Sequence, residues 1–188
     1  SALKVVNAAR NAGTIDGFFD GTQFVDDVPF AAATTYAFQT VGAHTLTFEA
    51  TSTAGAAIAS LQQTLESTSD ISVLVVGFPG AVQAIAFADD NLVPLAGACR
   101  VRFVNASSDN AAYDVYVGDT KQVSALAARS ASDYVTLVPA TYTFTFRDPA
   151  SGATVLAVAD QAIGEGRVAT LYLAGAAGQL SSIVSTDR

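Results

Sequence analysis

Thr141-Tyr142-Thr143-Phe144-Thr145-Phe146 alternates a threonine with an aromatic residue at every step. Successive side chains of a β-strand point to opposite faces, so this pattern turns Tyr142, Phe144 and Phe146 toward a core and the threonines outward. His44-Thr45-Leu46-Thr47-Phe48 reads the same way, and Tyr113, Val115 and Val117 alternate with Asp114 and Tyr116. Short β-branched or aromatic runs recur at Val5-Val6, Phe18-Phe19, Ile71 to Val76, Val101 to Val104 and Val168 to Leu173. Turn signals separate them: Asp20-Gly21, Pro79-Gly80, Gly118-Asp119, Asp148-Pro149, Ser151-Gly152 and Gly164-Glu165-Gly166.

Sliding the chain along itself by 98 positions exposes an ungapped internal repeat. Asn7 meets Asn105, Asp16 meets Asp114, Tyr36 meets Tyr134, Phe48 meets Phe146, Gly77 meets Gly175 and Asp89 meets Asp187. Lys4 with Arg102 and Phe18 with Tyr116 are conservative matches in the same register. The repeat sets one domain at residues 2–90, a linker at 91–99 and a second domain at 100–188. Each repeat carries about seven short strands with turns every 8 to 12 residues or so, the pattern of a sandwich. The expected fold is all-β: two tandem Greek-key-like β-sandwich domains. The alanine content of Ala56 to Leu65, and of its mate Thr154 to Ile163, would allow a helical turn, but Val155, Leu156 and Val158 favour a strand.

Hydrophobic residues make up 51% of the chain and charged residues 14%, which excludes a disordered chain. The longest purely apolar runs, such as Val73 to Val76, fall far short of the roughly 20 residues that span a bilayer as a helix. A transmembrane protein is therefore not expected. The net charge of −8, with no basic cluster to offset it, repels nucleic-acid phosphates. Low charge with much Ala, Thr, Ser, Val and Gly suits an extracellular or cell-surface β protein whose export signal has been removed, since Ser1 runs straight into a strand-like segment.

No catalytic constellation emerges. His44, the only histidine, aligns with Tyr142 on the inward face of an alternating strand and reads as an aromatic substitute at the core's edge. It has no second histidine to share a metal with and no Gly-x-Ser-x-Gly elbow to serve. Cys99, the only cysteine, lacks a nearby base and reads as a small apolar residue, with a cross-link between subunits as the alternative. Asn7, Asn105, Asp16 and Asp114 suit backbone-capping roles at strand ends. Asn105-Ala106-Ser107 has the form of a glycosylation sequon, but its mate Asn7-Ala8-Ala9 does not. No cofactor is expected; Ca²⁺ is the one alternative, on the oxygen ligands of Asp26-Asp27, Asp89-Asp90 or Asp109. Phe24, Phe30 and Phe78 sit near turns and have no aromatic mate in the second repeat. Packing common to both repeats does not require them, which makes them candidates for a contact or ligand surface.

Val101-Arg102-Phe103-Val104-Asn105-Ala106-Ser107-Ser108-Asp109, then Tyr113-Asp114-Val115-Tyr116-Val117, then Tyr134-Val135-Thr136-Leu137 and Pro139-Ala140-Thr141-Tyr142 resemble the family catalogued as domain of unknown function 4397. Ser108 stands where that pattern has proline, and the glycine expected after Ala140 is missing. In the first repeat the match thins to Val5-Val6-Asn7-Ala8-Ala9 and Ile15-Asp16-Gly17-Phe18. The resemblance implies sandwich domains in tandem and export, and carries no activity and no catalytic residues. Two functions are then expected to compete. One is a non-catalytic structural subunit of a surface fibre, appendage or matrix that self-associates, where sheet edges or faces recruit a second chain. The alternative is an exported binding module for a sugar, peptide or small apolar ligand, with a glycan or surface protein as partner, held by loops at one end of the sandwich.

Overall fold

Phe144 and Phe146 of the alternating stretch are buried in a strand that spans Ala140–Arg147, and both meet Phe103 edge-on, with ring centroids 5.6 and 6.5 Å apart. The computed structural model describes residues 1–188, which divide into two units, Ser1–Asp90 and Asn91–Arg188. It is all-β, and its only helical piece is a 3-10 turn at Thr51–Thr53. No helix is long and apolar enough to cross a membrane.

The first unit runs β1 (Ala2–Ala9), β2 (Ile15–Phe19), β3 (Thr22–Val28), β4 (Ala32–Ala33), β5 (Ala37–Phe38), β6 (Gly42–Ala50), β7 (Ala57–Leu65), β8 (Asp70–Gly77) and β9 (Gln83–Asp89). One sheet has the order β3-β2-β6-β7. The other has the order β4-β1-β8-β9, with β5 also on β1. The second unit repeats this with β10 (Cys99–Ser107), β11 (Tyr113–Val117), β12 (Thr120–Leu126), β13 (Ser130–Ala131), β14 (Val135–Leu137), β15 (Ala140–Arg147), β16 (Thr154–Ile163), β17 (Val168–Ala176) and β18 (Gln179–Thr186). Its sheets are β12-β11-β15-β16 and β13-β10-β17-β18, with β14 on β10. Each unit thus has nine strands rather than about seven, because segments of two or three residues add short ladders to the first strand. The segments with helix-tolerant composition are strands β7 and β16. The second unit's first strand opens at Cys99.

Within each unit the first strand pairs in parallel with the penultimate one, Leu3 beside Ile71 and Val101 beside Ala169. The core lies between the two sheets: Leu3, Val5, Ile15, Leu46, Phe48, Val73 and Val75 in the first unit, and Val101, Phe103, Val115, Phe144, Phe146 and Leu171 in the second. Burying each large side chain stabilises the fold by about 1.5–3 kcal/mol. Gly77, the last residue of β8, and Gly175, next to last in β17, have φ +129° and +96°, and a Cβ there would stand 2.4 Å from the Ala81 carbonyl oxygen and 2.3 Å from that of Gln179. Only glycine fits this close approach, which explains its recurrence at the 98-residue offset.

Candidate functional site

The recurring polar residues are used inside each unit. Asn7 donates to the carbonyls of Gly13 and Val28 and accepts from Ala9 N–H. Asn105 does the same with Ala111, Leu126 and Ser107. Both asparagines are fully buried, and the Asn105 amide donates to two carbonyls, so the sequon is a structural hub. Lys4, Tyr36, Ser72 and Asp89 form a second recurring group. The Lys4 ammonium lies 4.9 Å from the Tyr36 ring centre, and the Asp89 carboxylate accepts from Tyr36 at 2.6 Å and Ser72 at 2.5 Å. Arg102, Tyr134, Thr170 and Asp187 repeat it, with Arg102 stacked 5.0 Å from Tyr134 and donating to Thr170, which donates to Asp187. Nothing in the sequence singles out Ser72 and Thr170, which differ in type and lie far along the chain from their partners.

Asp16 and Asp114 pin a β-bulge. The ladder of β2 with β3 slips between Ile15 and Gly17, and that of β11 with β12 slips between Tyr113 and Val115. Such bulges leave an unpaired residue that a side chain can satisfy. Asp16 accepts from Asp27 N–H at 2.9 Å, and Asp114 from Ala125 N–H at 2.8 Å. Asp27 and Ala125 share φ near +48°, at +49° and +47°.

The two bulges carry opposite electrostatics. In the first unit Asp16, Asp26 and Asp27 bring carboxylate oxygens within 4.8 Å of one another, and Gln23 donates to Asp26. Glu49 stands directly across the β2–β6 ladder from Asp16. In the second unit Ser124 and Ala125 replace Asp26 and Asp27, Lys121 replaces Gln23, and Arg147 replaces Glu49. Lys121 pairs with Asp114 at 2.5 Å, and that ion pair holds the Asp114 carboxyl below its ordinary range. Tyr116 lies under Arg147 at 4.1 Å and beside Lys121 at 5.6 Å, where the first unit has Phe18. Side chains alternate along β2 and β11, so Asp16 and Phe18, like Asp114 and Tyr116, project from the face away from the core. Nine carboxylates against Lys4 and Arg10 give the first unit −7, and eight against seven cations give the second −1, which together make the chain's −8. The candidate site is this pair of outer faces, acidic on β3-β2-β6-β7 and basic-aromatic on β12-β11-β15-β16. Comparing charge, and not only aromatic residues, between the repeats marks these positions in the sequence, and the fold brings them together.

Phe24, Phe30 and Phe78 lie apart. Phe24 packs on the core edge-to-face with Phe19, at 6.1 Å between ring centroids. Phe30 is half-buried between β3 and β4. Phe78 is 38% exposed in the β8–β9 turn beside Arg10, whose guanidinium is 5.9 Å away. No ring contact joins them. His44 stacks on Phe19 at 4.3 Å and bonds Asp20 at 2.7 Å. Cys99 is buried in the second core, and burial raises its thiol pKa. Of the acidic spots singled out for calcium, Asp89 is held by Tyr36 and Ser72. Asp109 accepts from Ala111 N–H, Tyr113 and Ala177 N–H.

The family model described as Domain of unknown function (DUF4397) matches residues 1–112 and again 100–188. The chain belongs to this family. It is a tandem pair of the domain, and the resemblance carried by residues 101–117 and 134–142 is thereby established. A comparison with curated proteins gave no match.

Proposed function

We propose that this DUF4397 protein is an exported, non-catalytic structural subunit of a surface fibre, appendage or matrix, and that it self-associates through its sandwich domains. One observation carries the reading: Phe38 on β5 is 90% exposed, with Val41 exposed beside it. β5 pairs with the start of β1, Ala2 opposite Phe38. At the corresponding end of the second unit, where β14 pairs with the start of β10, Leu95 is 85% and Val138 71% exposed. Large apolar side chains gathered at an end of a sandwich favour protein contact, and each phenylalanine buried in an interface is worth about 1.5–3 kcal/mol. Sedimentation of the chain over a range of concentrations, with electron microscopy of native material, tests the reading. The expected result is mass above the 19.2 kDa of one chain, rising with concentration and reduced by Phe38→Asp. A single chain at every concentration in both preparations overturns it.

A binding module is the second reading. A cleft of about 350 Å³ beside the β17–β18 turn, lined by Tyr113, Val155, Gly178, Gln179 and Leu180, favours it. A glycan and peptide screen read out by shifts at these residues tests that alternative.

A further inference from the structure

Four carboxylates on an outer sheet face attract any cation. What names the occupant here is the matching face on the same chain. On the first unit's outer face, Asp26, Asp27 and Glu49 gather at Asp16, two positions before Phe18 on β2, without a lysine or arginine among them. On the second unit's outer face Asp114 keeps its charge, paired with Lys121, but Ser124 and Ala125 replace Asp26 and Asp27, and Arg147 and Lys121, at the positions of Glu49 and Gln23, flank Tyr116. The rest of both faces is small and polar: Thr45 and Thr47 on β6, and Thr143 and Thr145 on β15. The two faces share strand order and pleat, because they belong to the same repeated sandwich.

We propose that the acidic outer face of β3-β2-β6-β7 on one chain docks against the basic-aromatic outer face of β12-β11-β15-β16 on a second copy, joining chains head to tail. This rests on the self-association reading and names a contact for it. The acidic face repels its own kind, so the contact is heterologous, and such contacts propagate into open filaments or close into rings. Docking also relieves a cost. Asp16 and Glu49 oppose each other across a ladder, where like charges destabilise, and Arg147 and Lys121 of a second copy would neutralise them.

The two repeats supply their own test variants. Gln23→Lys, Asp26→Ser, Asp27→Ala and Glu49→Arg together place the second unit's residues in the first, and Lys121→Gln, Ser124→Asp, Ala125→Asp and Arg147→Glu do the converse. Each set already exists in this fold at the equivalent position, and circular dichroism checks that the fold is kept. Sedimentation velocity of the full chain is then compared in about 50 and 500 mM NaCl, a range over which screening shortens severalfold. Wild-type association should weaken at least tenfold in high salt. Each set alone should abolish it, and the two sets together should restore it with the charges exchanged. Wild-type chains that assemble while either set leaves assembly unchanged overturn this contact and leave the self-association reading standing. Assembly that requires added Ca²⁺ and ignores Arg147→Glu overturns it equally. A wild-type chain that stays single in low salt overturns both.

Discussion

Asp16 on β2 faces Glu49 directly across the ladder, whereas the corresponding pair in the second unit is Asp114 facing Arg147. One sandwich frame therefore carries a repulsive and an attractive version of a single cross-strand contact. Charge pairs of this kind are worth roughly 0.2–1 kcal/mol in either direction.

Glu49→Gln should accordingly stabilise the first unit by about 0.5 kcal/mol, since it removes the repulsion and keeps an acceptor for Gly55 N–H. Arg147→Gln should destabilise the second unit by a similar amount. Urea melts at concentrations that keep chains apart measure both, and high salt should shrink both differences. Equal effects of the same sign from the two substitutions would contradict this account.

Asn105→Ala should cost about 3 kcal/mol, because it strands the carbonyls of Ala111 and Leu126 and the amide of Ser107 in a buried site. Asn7→Ala should cost the first unit a comparable amount. Chemical denaturation followed by circular dichroism reads the loss. A change below about 0.5 kcal/mol would mean that the hub is dispensable.

Cys99 should resist a thiol reagent in the native chain and react at once in denaturant. It is fully buried against Leu137, and desolvation holds its thiol above the ordinary range. Prompt stoichiometric labelling of the folded protein near pH 8 would show that β10 opens, and would return a cross-linking role to this residue.

Asp109 and Tyr113 make a pH signature on both limbs of the stability curve. Burial raises the Asp109 pKa, but the amides of Ala111 and Ala177 and the hydroxyl of Tyr113 outweigh it, and the carboxyl sits below the ordinary aspartate range. A depressed carboxyl contributes stability above its unfolded pKa that is lost as acid passes through the folded one. Asp109→Asn should therefore lower the melting midpoint at neutral pH, with the difference fading as the pH falls below the ordinary aspartate range. Desolvation and the Asp109 charge push Tyr113 up from 10.0 to about 12, so the folded state holds this proton more tightly. Its contribution is complete below pH 10 and declines as the pH rises toward 12. Ultraviolet titration should show a tyrosine ionising near pH 12, and its disappearance in Tyr113→Phe would assign it.

Much of the fold was legible along the chain. The alternation in Thr141 to Phe146 reports which side of a strand is apolar, and it placed Phe144 and Phe146 correctly in the core. The candidate site was legible only in part. Phe24, Phe30 and Phe78 stood out for lacking mates, yet they lie on separate elements, and one of them serves the core. The residues that form the outer faces, 16, 23, 26, 27 and 49, are scattered over three strands, and nothing in their spacing says that they converge.

What the chain's own order of residues determined is the strand content, the turns, the inward and outward sides and the 98-residue repeat, because each depends on neighbours a few positions apart or on comparing like with like. What only the tertiary structure decided is pairing. β1 takes β8 as a parallel partner from across the whole unit, with Ala2 beside Asp70, and the short β4 and β5 settle on its other edge. The bulge that turns Asp26 and Asp27 toward Asp16, and the register that sets Glu49 opposite Asp16 but Arg147 opposite Asp114, likewise follow from pairing. Register is chosen by the burial of a whole face at once, a collective property that no local window of sequence contains.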